Sequence, residues 1–263
     1  MNNINQRLVF AEQLAKEAGE LALGYFSKLN TLTIVSKGVQ DMATEADVNT
    51  ENLIRAAIES QYPEDDFFGE ESSDSYVAKE GQGIWVVDPI DGTQPFVNGI
   101  SSWCISIAYL VQNEIVLGVI YDPSADEIFS AQVGQGAKLN GNPIKVSDVK
   151  GVTNGLISVG YSNRVKPEDT LGPLERLIRA QGMFHRSGSG ALSLAYVAAG
   201  RLIGYFEPHM NIWDCAAGCL LITEAGGKAN NILAGDNFLI DGNPVIAAAD
   251  GVYDDLIAII NNN

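Results

Sequence analysis

The sequence predicts an α+β domain, and three features lead there: an amphipathic N-terminal helix, a β-rich middle built of hairpins, and a second half of mixed helices and strands. Helices interleaved with hairpins argue for packed layers and against a regular βαβ array.

From Leu8 to Leu29 the apolar residues Leu8, Ala11, Leu14, Ala15, Ala18, Leu21, Ala22, Tyr25 and Phe26 recur every three or four positions, the signature of an amphipathic helix. "TLTIVSK" then reads as a strand, and "TEADVNTENLIRAAIESQY" as a second helix that stops before Pro63. The apolar run "IWVVD" is expected to end at Asp88, because Pro89 biases the preceding residue toward extended backbone and a turn can start there. "CISIAYLV" and "EIVLGVIY" flank Gln112-Asn113 as a hairpin, and a second turn is expected at Asn140-Gly141. After about Lys150, helices are expected at "PEDTLGPLERLIRAQ", "GALSLAYVAAGR", "IWDCAAGCLLITEAGG" and "VYDDLIAII", with strands near "LIGYFE" and "PVIAAA". No internal repeat, low-complexity tract or long linker interrupts the chain, so residues 1–263 read as a single domain. The polar, glycine-punctuated "SSDSYVAKEGQG", Ser72 to Gly83, is the expected mobile flap.

Composition narrows the function. The 33 acidic and 16 basic residues leave a formal charge of -17, which argues against direct nucleic acid or an anionic membrane as an electrostatically steered partner. An anionic substrate would need local positive charge, which bound divalent cations can supply. No signal peptide or membrane-spanning run is legible, so a cytoplasmic location is expected. Cys104, Cys215 and Cys219 lack metal-finger spacing and read as small buried hydrophobes.

The chemistry concentrates at "DPIDGT", where a core strand ends in charge. Asp88 and Asp91 could face one point, and paired carboxylates repel unless a proton or a hard, oxygen-seeking cation compensates. Gly92 lets a ligand oxygen approach the backbone, Thr93 offers a hydroxyl where a helical turn can start, and Pro95 suits that first turn. Taken alone, the stretch could equally be an ordinary turn rich in aspartate, proline and glycine. Further acids stand elsewhere: Glu70 and Glu71 in "FFGEES", Asp214 in "NIWDCAAG" and Asp47 in "TEAD". Each has a plain structural reading, as a solvated loop, a first-turn acid on a helix dipole, and a capping box with Thr44.

Together, "MATEAD", "GEES", "DPIDGT" and "WDCAAG", in that order along almost the whole chain, resemble the inositol monophosphatase family of magnesium-dependent phosphatases. The resemblance implies a layered α/β/α/β/α sugar-phosphatase fold with mixed, largely antiparallel sheets. It also implies a metal-binding part at about residues 1–150 and a part at 151–263 that carries the substrate rim and the last metal ligand. It implies that Glu70, Asp88 and the carbonyl of Ile90 hold one Mg2+, and that Asp88, Asp91 and Asp214 hold a second, with Asp88 bridging and a third, weaker ion near Glu70. Asp47 and Thr93 would orient and deprotonate the attacking water, with Glu70 as a further catalytic residue, while the amides of Gly92 and Thr93 cradle the phosphate. Homodimers and lithium sensitivity are common in the family. A histidine-centred mechanism has only His185 and His209 to draw on.

For the substrate, the resemblance places Gly188, Ser189, Gly190 and Glu207 against the hydroxyls of inositol monophosphate or a similar small polyol phosphate. A carboxylate facing a polyol can accept several hydroxyl hydrogen bonds. Two departures touch this rim: "GTQPF" with Asn98 stands where the family usually reads "GTTNF" and a histidine, and Gly190 replaces an alanine. Histidinol phosphate, or another sugar or nucleotide phosphate, is the alternative ester. The non-enzymatic alternative is an RNA polymerase-associated regulator, since one bacterial branch associates with the transcription machinery.

Overall fold

The structure, a computed structural model, describes residues 2–29, 34–38, 41–75 and 83–262. Helix α1, Asn2–Phe26, is followed by the antiparallel pair β1, Ile34–Gly38, and β2, Asp41–Thr44, and by helix α2, Glu45–Gln61. A seven-stranded sheet comes next: β3, Asp66–Gly69; β4, Ile84–Asp91; β5, Cys104–Val111; β6, Glu114–Asp122; β7, Glu127–Gln132; β8, Ala137–Leu139; and β9, Asn142–Pro143. These strands lie side by side in chain order, β3 parallel to β4 and every other pair antiparallel. A short helix α3, Thr93–Val97, follows β4.

The second half supplies β10, Leu156–Val159; α4, Pro167–Arg179; β11, Met183–His185; α5, Gly190–Ala198; β12, Gly204–Met210; α6, Ile212–Glu224; β13, Lys228–Ala229; β14, Asn243–Ala248; and α7, Asp250–Asn261. Its five strands order as β11-β10-β12-β14-β13, with β10 parallel to both neighbours and the remaining pairs antiparallel.

Three apolar clusters, the central one spanning two interfaces, hold five layers together, as the resemblance implies. Ala11, Leu14 and Ala18 of α1 and Ile54 and Ile58 of α2 pack on Trp85, Val87, Ile105 and Ile107 of one sheet face. The opposite face presents Val86, Ala108 and Ile120 to α5 and α6, which also meet Val245 and Ala247 of the second sheet. The outer face of that sheet packs Ile157, Phe206 and Ile246 against Leu177 of α4 and Val252 and Leu256 of α7. Central strands covered on both sides read as continuous apolar runs, which is why "IWVVD" and "CISIAYLV" lack a polar face. Residues from both sides of Lys150 share the central cluster.

The turn predictions hold: Gln112 and Asn113 have φ of 52 and 60, and Asn140 and Gly141 have 48 and 77, left-handed values suited to two-residue hairpins. The predicted end of the strand at Asp88 is corrected, because β4 runs on to Asp91. Asp88 pairs with Ser106 and Asp91 with Cys104, so three steps on β4 match two on β5 and a bulge absorbs the extra residue. Strands β10 and β11 escape the sequence reading because they have only four and three residues, with Leu156, Met183 and Phe184 exposed. Residues 76–82 of the predicted flap lie outside the described residues; Glu70–Ser75 form a 3-10 turn. Among the described residues no helix is long and apolar enough to cross a membrane.

α1 is tied to the sheet by a buried ion pair. Arg7 donates to Asp65 from Nε at 2.9 Å and from a terminal nitrogen at 3.0 Å, and Trp85 Nε1 and Tyr109 Oη donate to the same carboxylate at 3.0 Å each. Removing one partner of a buried pair strands the other charge, so Arg7→Met is expected to cost about 3–5 kcal/mol of stability, read from the shift in denaturant midpoint.

Candidate metal centre and active site

Sheet geometry explains how Asp88 and Asp91 meet. Successive side chains on a regular strand alternate faces, so residues three apart point oppositely. The bulge inserts one residue between these two and restores them to one side. Asp214 arrives from the first turn of α6, where its Oδ2 accepts the Asn211 amide at 3.1 Å as a helix cap. Asp88, Asp91 and Asp214 each offer an oxygen, and the three oxygens lie within 4.8 Å of one another. Glu70, at the start of the 3-10 turn after β3, lines the same cleft, as does Ile90.

The cluster is electrostatically unfavourable by itself. Burial, then the nearby charges of Glu70, Asp91 and Asp214, push the Asp88 carboxyl well above its ordinary range. Asp214 is raised by burial, Asp91 and Glu207, and a side-chain hydrogen bond joins it to Asp88. Burial raises Asp91 as well, opposed by donors from Ser189 and from backbone at the start of α5. An all-oxygen set of convergent carboxylates, Asp88 and Asp91 buried and Asp214 half-buried, fits a hard divalent cation, whose charge would offset the repulsion among them.

Asp47 and Thr93 also come together. The capping box predicted for Thr44 and Asp47 forms: Asp47 Oδ2 accepts from the Thr44 amide at 2.8 Å and from its hydroxyl at 2.6 Å. That leaves Oδ1 for the Thr93 hydroxyl at 3.2 Å, so the structural and functional readings of Asp47 use different oxygens. The Ile90 carbonyl lies 3.2 Å from the same hydroxyl, and the Ile90 amide donates to Asp88 at 2.9 Å. Burial raises the fully enclosed Asp47 carboxyl, and its Thr44 bonds oppose that rise.

Gly92 is required for a reason the sequence does not reveal. It caps α3 with φ of 99, and a Cβ there would stand 2.8 Å from the Ser102 carbonyl. The conformation and the crowding both exclude other residues. Pro95 packs on the rim: a Cβ on Gly188, whose φ is 91, would sit 2.7 Å from its Cγ. Gly188 thus leaves the space that Pro95 occupies, and Asn98 caps α3 by donating to the Gln94 carbonyl at 2.8 Å.

The substrate-rim expectations divide. Glu207 lines the cleft on β12, and burial raises it to about 7, against a lowering by Tyr205. Gly188 and Gly190 line it too. Ser189 has turned inward and is 1% exposed; its hydroxyl donates to Asp91 Oδ2, an oxygen that also accepts the Ala191 amide at 2.8 Å. Ser189 thus lines the same cleft while its hydroxyl orients Asp91. Ser187 and Ser193 continue the network, their hydroxyls 2.8 Å apart, Ser193 donating to the Ser189 carbonyl at 2.8 Å.

The sequence reading misses Arg164 and Arg186 at the cleft mouth, whose positive charges lower Glu207. The signal was their scarcity in an acidic chain. It also misses Tyr205, two positions before Glu207 on the same strand face.

Comparison with known proteins agrees with this geometry. Residues 3–263 match the model of the inositol monophosphatase family. The protein named Nus factor SuhB of Haemophilus influenzae is 34% identical over 257 residues, covering 97% of this chain and 95% of that one. An inositol monophosphatase from Anabaena superposes with TM-score 0.84 at 31% identity, covering 99% of this chain and 97% of its own. A Staphylococcus aureus inositol monophosphatase II, solved with inositol monophosphate bound, superposes with TM-score 0.77 at 26% identity, covering 97% and 93%. The expectation that nucleic acid is excluded rested on net charge, and it gains no support from relatives named as Nus factors.

Proposed function

Because the chain belongs to the inositol monophosphatase family, we propose that it is a magnesium-dependent phosphomonoesterase acting on inositol monophosphate or a similar small polyol phosphate. The observation that carries this reading is the meeting of Asp88, Asp91 and Asp214 beside the Asp47–Thr93 pair, residues drawn from three separate segments of the chain.

In this reading Asp88, Asp91, Asp214, Glu70 and the Ile90 carbonyl hold two Mg2+ ions, with a third, weaker ion near Glu70. When bound, magnesium supplies charge for the phosphoryl oxygens, a more acidic water and stabilisation of the leaving alkoxide. Asp47 Oδ1 accepts the Thr93 proton, so the Thr93 oxygen is free to accept from the attacking water and pass its proton along that bond. The amides of Gly92 and Thr93, at the start of α3, donate to the phosphate. Glu207, with Gly188 and Gly190 beside it, receives the alcohol. Homodimer formation, lithium sensitivity and a division near Lys150 belong to the same proposal.

Arg164 and Arg186 near Glu207 favour a neutral polyol over the cationic alcohol of histidinol phosphate, since like charges repel at the rim. A panel of phosphate esters assayed with magnesium tests the proposal. Inositol monophosphate should be hydrolysed with a higher kcat/KM than histidinol phosphate, and all activity should vanish in chelator. Phosphate release that persists in chelator would sink it.

The name carried by the Haemophilus relative favours a second reading, a role in a transcription complex. It predicts copurification with RNA polymerase that survives Asp91→Asn, and a pull-down without polymerase removes it.

A further inference from the structure

Glu207 is not alone on its strand. Tyr205 lies two positions earlier on the same face of β12, is 2% exposed, and donates its hydroxyl to Glu207 Oε2. Its ring belongs to the central apolar cluster, where phenylalanine would pack equally well, so packing does not account for the oxygen. A buried hydroxyl needs a partner, and here the partner is the carboxylate assigned to the substrate alcohol.

Two glycines keep the space for this pair. A Cβ on Gly160 would collide with Glu207 Oε2 and stand 2.7 Å from the Tyr205 oxygen. A Cβ on Gly190 would stand 3.1 Å from that oxygen and 2.5 Å from Met210 Cε. Met210 reaches the cluster because β12 carries its own bulge: Glu207 pairs with Val245 and Met210 with Asn243. Gly190, the departure from the alanine of relatives, thus has a physical cause in the Tyr205 hydroxyl and the Met210 tip.

We propose that Tyr205 is a positioning residue for the alcohol subsite: its hydroxyl fixes one Glu207 oxygen, so the other meets the substrate's hydroxyls in a set orientation. The proposal rests on the polyol phosphatase reading. A carboxylate held by one oxygen loses little further freedom on binding, so the gain appears only with substrates that offer hydroxyls to it.

The test compares myo-inositol 1-phosphate with 4-nitrophenyl phosphate, both with magnesium, in the unmodified protein and in Tyr205→Phe. Loss of one hydrogen bond to a charged group predicts a fall of about 10-fold in kcat/KM for the inositol ester, mainly through KM, and under about 2-fold for the aryl ester. Gly160→Ala, which displaces the same carboxylate without removing the hydroxyl, should give the same ester-selective loss. Equal losses for both esters, or none for either, overturn the proposal. If the unmodified protein hydrolyses neither ester, the phosphatase reading fails by itself, and calorimetric binding of myo-inositol reads the positioning role instead. Weaker binding in Tyr205→Phe supports it, and unchanged or absent binding overturns it.

Discussion

Asp88→Asn is expected to lose at least ~10³-fold in magnesium-dependent phosphate release, because the ligand assigned to both ions is gone and metal contacts are worth several kcal/mol in the transition state. In metal-free buffer the same variant should melt at a higher temperature than the unmodified protein at alkaline pH. The sign follows from the raised Asp88 carboxyl, caused first by burial and then by Glu70, Asp91 and Asp214. A carboxyl that titrates higher folded than unfolded binds protons preferentially in the native state. The metal-free protein therefore loses stability as pH climbs from the ordinary carboxylate range through the folded value. Asparagine cannot ionise, yet its carbonyl can still accept the Ile90 amide, so the variant escapes the share of this loss that Asp88 causes, while Asp91 and Asp214 keep theirs. Magnesium should reverse the order by binding the native unmodified site. Melts at acidic and alkaline pH, with and without magnesium, read this directly. A variant that keeps its activity, or that melts lower at alkaline pH without metal, would count against the assignment.

Thr93→Ala should reduce kcat by about 10²–10⁴-fold, the usual contribution of a positioned proton acceptor, with the magnesium concentration for half-maximal activity unchanged. Asp47→Asn should fall into the same range. An asparagine oxygen can keep the Thr44 amide bond, but its NH2 then faces the Thr93 hydroxyl and cannot take its proton. The double variant should be hardly worse than either single one, because the residues act as a unit. Losses that multiply would show that the two residues act independently, and a weakened magnesium dependence in Thr93→Ala would place Thr93 in metal binding instead.

Much of this protein was legible in one dimension. The helices at both ends, the hairpin at Gln112-Asn113 and the apolar central strands follow from periodicity and turn chemistry, which are local properties. The candidate ligands were legible through the family resemblance of four short motifs, since each acid taken alone also suits a turn, a loop or a helix N-terminus. Short strands such as β11 were not, since three residues carry too little pattern to separate them from a loop.

The sequence by itself determined the residue types, their order and the layered fold they build. Only the tertiary structure decided which way each side chain points. Two one-residue bulges, in β4 and β12, turned Asp91 beside Asp88 and Met210 into the core, although a regular strand period would have sent each the other way. Packing of α5 against β4 set the Ser189 hydroxyl on Asp91, and the strand face of β12 set the Tyr205 hydroxyl on Glu207. The physical reason is that strand propensity and charge are local, whereas register and the convergence of distant carboxylates are fixed by long-range pairing and by the burial of three shared cores.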